Sequence, residues 1–121
     1  MKRFVIYHNP RCSKSRAVLE ILRTHQIESR MVEYLKTPLD AKSIRELLGK
    51  LGLRPRDILR EGEEEFSRLH LDDPAKTDDE LIDAIAKHPI LLQRPIVVHG
   101  RHAVVGRPPE KVMELITKRP L

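Results

Sequence analysis

A chain of 121 residues and 14.1 kDa can close one compact domain around its own core, and its single cysteine excludes an internal disulfide. No apolar leader follows Met1 and no run reaches membrane length, so the sequence predicts a soluble protein of a reducing cytoplasm, with no membrane contact. Aromatic residues make up 3% and tryptophan is missing, which leaves little on which to stack bases and argues against a nucleic-acid partner. The net charge of +5 is uneven, because residues 61–80 carry nine acidic side chains against two basic ones. The basic excess therefore lies in the other segments, where it makes a field that draws in anions. For most of these lysines and arginines a solvated surface is the ordinary reading.

Arg3-Phe4-Val5-Ile6-Tyr7 is short, β-branched and aromatic, and reads as a buried strand that ends before Pro10. From Ser13 onward Val18, Ile21 and Leu22 recur at helical spacing. Arg30–Leu35 is the second strand candidate, and strand, helix, strand at this length predicts a right-handed parallel crossover. Asp40 is placed to cap a helix with Ile44, Leu47, Leu48 and Leu51 on its inner stripe, ended by Gly52 and Pro55. A further helical stretch from Pro55 turns Ile58 and Leu59 inward and leaves Arg60 at its far end or in the following loop, and the acidic Glu63-Glu64-Glu65 reads as a solvated helix or loop. Thr77-Asp78-Asp79-Glu80 is a capping box ahead of Leu81, Ile82 and Ile85. The run Ile90–Leu92 is too brief to assign. Ile96–His99 and His102–Gly106 around Gly100-Arg101 predict a hairpin, and Pro109 opens a last helix with Val112, Leu115 and Ile116 on one face.

Cys12 falls where the first strand gives way to the first helix. There the unpaired N–H groups and the positive end of the helix dipole favour an anion. With Arg11, Lys14 and Arg16 nearby and His8 at the strand end, the thiol is expected to ionise below its free value of about 8.5, and the thiolate is a nucleophile. A free cysteine is ordinarily a small buried hydrophobe, but four cationic or potentially cationic neighbours would be a costly surrounding for one. Ser15 either caps the helix or donates to the thiolate. Competing motifs do not fit: a Cys-x5-Arg loop would need arginine where Val18 stands, no glycine-rich phosphate loop follows a strand, and His99 and His102 read as an exposed pair beside the turn.

A βαβ start and ββα ending with cysteine at the first strand-to-helix turn resemble the thioredoxin fold, a mixed sheet carrying here a helical insert at about 41–88 within a single domain, 1–121. Redox-active members of that fold carry Cys-x-x-Cys; this chain has Cys12-Ser13-Lys14-Ser15. His8-Asn9-Pro10-x-Cys12-x-x-Ser15-Arg16, with Leu59-Arg60-Glu61, Gln93-Arg94-Pro95 and Gly106-Arg107-Pro108, resembles the signature of the glutaredoxin-coupled arsenate reductase (ArsC) family over nearly the whole chain. The resemblance implies Cys12 as nucleophile, His8 and Ser15 as the groups that tune it, and Arg60, Arg94 and Arg107 as the arginines that hold the oxyanion. It also implies a cis Pro95, no metal, no bound cofactor, glutathione as co-substrate and glutaredoxin as partner. The chemistry agrees, since an oxyanion repels a thiolate and planar guanidinium forks neutralise and orient tetrahedral oxygens. Ser13-Lys14 stands where the best-known arsenate reductases have Gly-Thr, which leaves another oxyanion open as substrate. The rival of a different class is a regulator like the Spx proteins, which share this fold and bind RNA polymerase; those sense redox state through Cys-x-x-Cys, which Ser15 removes.

Overall fold

In a computed structural model describing residues 3–118, four short strands form one mixed sheet in the order β2-β1-β3-β4. They are β1 (Phe4–Tyr7), β2 (Ser29–Val32), β3 (Ile96–His99) and β4 (His102–Val105). β1 runs parallel to β2 and antiparallel to β3, and β3 and β4 form the hairpin. Gly100, at φ +64, supplies the left-handed backbone its turn needs. The fold is thioredoxin-like: the βαβ start and ββα ending are both present, and a helical insert lies between β2 and β3.

The described residues form two units, one of residues 3–37 and 94–118, the other of residues 38–93. In the first, helix α1 (Ser13–Thr24) buries Val18 and Leu22, four positions apart, against Phe4, Ile6 and Val97 of the sheet and against Val112, Leu115 and Ile116. Each such side chain contributes about 1.5–3 kcal/mol of burial. The second unit holds α2 (Ala41–Leu51), α3 (Glu64–Arg68) and α4 (Asp78–Lys87), with Ile44, Ile58, Leu81 and Leu91 fully buried. Asp40 caps α2 by accepting from the Ser43 N–H at 2.8 Å, and the Thr77/Glu80 capping box opens α4 with both bonds made. No helix among the described residues is long and apolar enough to cross a membrane.

Three expectations need correction. The second strand is Ser29–Val32 and does not continue to Leu35: its ladder is limited by the four residues of β1, and Val32 O accepts the last bond, from His8 N–H at 2.9 Å. Tyr34 is buried in the turn that follows. The last helix begins as a 3-10 turn, Pro109–Val112, and becomes α5 only over Met113–Lys118. His99 is half-buried, its ring stacked on Phe4 at 4.1 Å, and only His102 is exposed.

Gly106 shows how tightly the sheet end is packed. A Cβ there would lie 2.7 Å from Val18 Cγ2 and 2.9 Å from Pro95 Cγ. Val18 is fully buried and cannot swing away. Gly106→Ala should therefore cost about 1–3 kcal/mol of overpacking, read as a lower denaturant midpoint at unchanged slope.

Candidate functional site

The loop from β1 to α1 is held by its own polar groups. The Cys12 N–H donates to Asn9 O at 3.0 Å, the Arg11 N–H to Asn9 Oδ1 at 3.0 Å, and the Asn9 N–H to Ser15 Oγ at 3.1 Å. Ser15 Oγ also meets His8 Nδ1 at 2.6 Å. His8, Asn9 and Ser15 are all buried, so each bond replaces water that has been excluded. Asn9 organises this loop and was not picked out as a site residue; its short amide closing a turn two residues on is the signal that sequence offered.

Cys12 occupies the cap position of α1 with extended backbone and makes no side-chain capping bond. Sulfur thus stands where an oxygen would ordinarily satisfy the first turn, and the N–H groups of Ser15 and Lys14 act on it as dipoles and not as a formed cap. Burial is the largest single influence on the thiol and raises its pKa. It is outweighed by the Ser15 N–H, the Arg94 guanidinium and the Lys14 N–H, so that Cys12 titrates below the ordinary thiol value.

Arg94 and Arg107 reach the sulfur because of sheet topology. β3 pairs with β1, so the open end of the β3–β4 hairpin lies beside the end of β1 from which the cysteine loop leaves: Tyr7 is opposite Ile96, and Ile96 opposite Val105. Arg94 immediately precedes that hairpin and Arg107 follows it. The Gly106 N–H donates to Pro95 O at 2.8 Å and Arg107 Nε donates to Arg94 O at 2.7 Å, which ties the two approaches together. Arg107 Nη2 then lies 3.7 Å from Cys12 Sγ. Both arginines precede cis prolines, at Pro95 and Pro108; only the first follows from the resemblance.

The cations next to Cys12 in sequence behave differently from expectation. Arg11, Lys14 and Arg16 are exposed, and Arg16 Nη1 donates to Pro10 O at 2.9 Å. The guanidinium groups at the sulfur come from residues 94 and 107. Helical and loop geometry turns near neighbours outward, whereas strand pairing delivers distant ones.

His8 is also not a cation here. Burial lowers its pKa; Glu33 opposes this, and Arg23 and Arg16 add to it. These influences together favour the neutral imidazole. According to tautomer, Nδ1–H donates to Ser15 Oγ or Nδ1 accepts the serine proton, and it is the Ser15 backbone N–H that acts on the sulfur. A depressed histidine pKa means that the unfolded chain binds more protons just below its own value of about 6.5. Stability contributed by His8 is complete above that value and is lost as pH falls toward the folded one. The urea midpoint should fall as pH is lowered from above about 6.5 to below it, and by less in His8→Gln, where the titrating group is gone.

Arg60 lies in the second unit, after the 3-10 turn Pro55–Ile58. Leu59 bridges Leu92, and bonds from Arg60 N–H to Leu91 O and from Gln93 N–H to Ile58 O, both 2.8 Å, flank the bridge. Arg60 Nε donates to Glu63 Oε1 at 3.1 Å and Nη1 to Gln93 Oε1 at 2.8 Å. Among the described residues no group of three or more His, Cys, Asp or Glu side chains could hold a metal ion.

Comparison with known proteins places these features in context. A model of the ArsC family matches residues 7–115. The chain is 44% identical to the arsenate reductase of Neisseria meningitidis serogroup A over 113 residues, 93% of this chain and 97% of the relative. It is also 44% identical to the uncharacterized protein YfgD of Escherichia coli over 116 residues, 95% and 98% of the two chains. The solved structure of an arsenate reductase from Vibrio cholerae superposes with a TM-score of 0.91 at 43% identity, covering 93% of this chain and 97% of the other.

Proposed function

Because the chain belongs to the ArsC family, we propose that it reduces arsenate to arsenite through the Cys12 thiolate, drawing its electrons from glutathione and glutaredoxin. The observation that carries this reading is the pair of guanidinium groups on one acidified thiol: Arg107 Nη2 at 3.7 Å from Cys12 Sγ, with Arg94 acting on the same sulfur. Such a sulfur is a nucleophile set among donors that also suit tetrahedral anionic oxygens. The names of its relatives supply arsenate as the oxyanion.

In the proposed reaction the thiolate attacks arsenic; an S–As bond forms, an As–O bond breaks, and the oxygen leaves as water once protonated. Arg94 and Arg107 neutralise the oxyanion during the approach of two negative charges. Arg60 joins them on the strength of the sequence resemblance. A glutathione thiol then replaces a second arsenic oxygen, which leaves as water; the glutaredoxin thiolate attacks the glutathione sulfur, the electron pair of that S–As bond stays on arsenic, and water hydrolyses the remaining Cys12–As bond. Arsenic(V) becomes arsenic(III), two thiols become one disulfide, and Cys12 is released with arsenite. The only cysteine of the chain is Cys12, so no internal disulfide can resolve the adduct and the electrons come from outside. A reducing cytoplasm supplies both donors.

The test is multiple-turnover arsenite production by the purified protein with glutathione and glutaredoxin, and separately with thioredoxin at matched reducing power. Turnover with the first pair and little with the second is expected. Robust turnover with thioredoxin and no glutathione contradicts the donor assignment, and no arsenite with either contradicts arsenate as substrate.

A further inference from the structure

Arg60 is held from two sides by residues that lie outside the proposed catalytic set. A turn closed by the Glu63 N–H on Arg60 O at 3.4 Å carries Glu63 back over the arginine, and its carboxylate takes Nε at 3.1 Å. Gln93 sits diagonally across the Leu59–Leu92 bridge, a separation that long side chains span, and its amide oxygen takes Nη1 at 2.8 Å. Arg60 and Glu63 side chains are only 21% and 26% exposed, so this is a partly shielded pair, unlike the solvated ion pairs elsewhere in the insert. The two bonds use one donor at Nε and one at Nη1. Neither bond uses Nη2, and a guanidinium meets an anion through more than one of its donors.

We propose that Glu63 and Gln93 are positioning residues that fix the Arg60 guanidinium through Nε and Nη1 and so ready it to take an oxyanion. This rests on the reading of Arg60 as an oxyanion-binding residue. A long arginine side chain loses rotamer freedom when it grips a ligand, and a fork fixed in advance has less to lose. The carboxylate has an opposing effect, since its negative charge weakens the local attraction for any anion. The two effects separate by substitution. Glu63→Gln keeps an acceptor for Nε and removes the charge, whereas Glu63→Ala removes both.

The experiment measures the dissociation constant of inorganic sulfate for the full chain, by its protection of Cys12 from alkylation, at constant ionic strength. Glu63→Ala is expected to weaken sulfate about 3- to 10-fold, and Glu63→Gln to bind within about twofold of the wild type or tighter. Gln93→Ala should weaken it in the same direction. In an Arg60→Ala background, Glu63→Ala should change nothing further, which a merely structural loss would not reproduce. Tighter binding in both Glu63 variants would make Glu63 a charge brake and overturn the clamp. Unchanged binding in Glu63→Ala, with Arg60→Ala impaired, overturns the clamp alone. Unchanged binding in Arg60→Ala overturns the assignment of Arg60 to the oxyanion and the clamp with it.

Discussion

Cys12→Ser should lower arsenite production by at least about 10³-fold while leaving the fold intact, because it removes the sulfur that attacks arsenic. A serine hydroxyl at this position would sit under the same helix N-terminus and beside the same guanidinium groups. Its pKa lies far above that of a thiol, so almost none of it is ionised to attack arsenic. Oxyanion binding should survive, since the arginines do not depend on the sulfur for their positions: Arg107 is anchored by the Arg94 carbonyl at 2.7 Å. Loss of turnover with retained sulfate binding would place Cys12 in the chemical step. A variant with most of the wild-type rate would remove the cysteine from the mechanism.

The second large effect belongs to the arginines. Arg94→Ala and Arg107→Ala should each reduce kcat/KM for arsenate by about 10²–10³-fold, the usual cost of losing one donor aimed at developing or approaching negative charge. The double variant should lose less than the product, because both act on one site. Lysine should not restore Arg94 fully, as an ammonium cannot offer two parallel bonds. Arg94→Ala carries a further signature: Arg94 lowers the pKa of Cys12 by hydrogen bond and by charge, so its removal should raise the titration midpoint of the thiol. Lys50→Ala, on the exposed side of α2, should change neither quantity. Equal losses at Lys50 and at the two arginines would indicate a diffuse field over the surface instead of a site.

Residue spacing alone identified the local parts of the candidate site, and its distant arginines came only from the family resemblance. Apolar spacing at Val18 and Leu22 identified α1 and put Cys12 at its start, and both the Asp40 cap and the Thr77–Glu80 box form as their spacing requires. Each of these depends on neighbours within one or two helical turns. Physics of the sequence alone also assigned the acidification of Cys12 to Arg11, Lys14 and Arg16, which are adjacent along the chain but exposed in the fold. The effective cation at the thiol comes from residue 94, brought by the pairing of β3 with β1, and only the family resemblance anticipated it. The end of β2 at Val32 was illegible for a similar reason, since the length of its partner strand sets it. Glu63 looked like part of a solvated acidic run until the turn back to Arg60 was visible.

The central claim is that an acidified thiolate stands inside an oxyanion site, and the rate of Cys12 alkylation as a function of pH, with and without arsenate, tests it most directly. The account predicts a midpoint below the free-cysteine value of about 8.5 and a lower alkylation rate when arsenate is added at constant ionic strength. A midpoint at or above that value, with arsenate giving no protection, would contradict it.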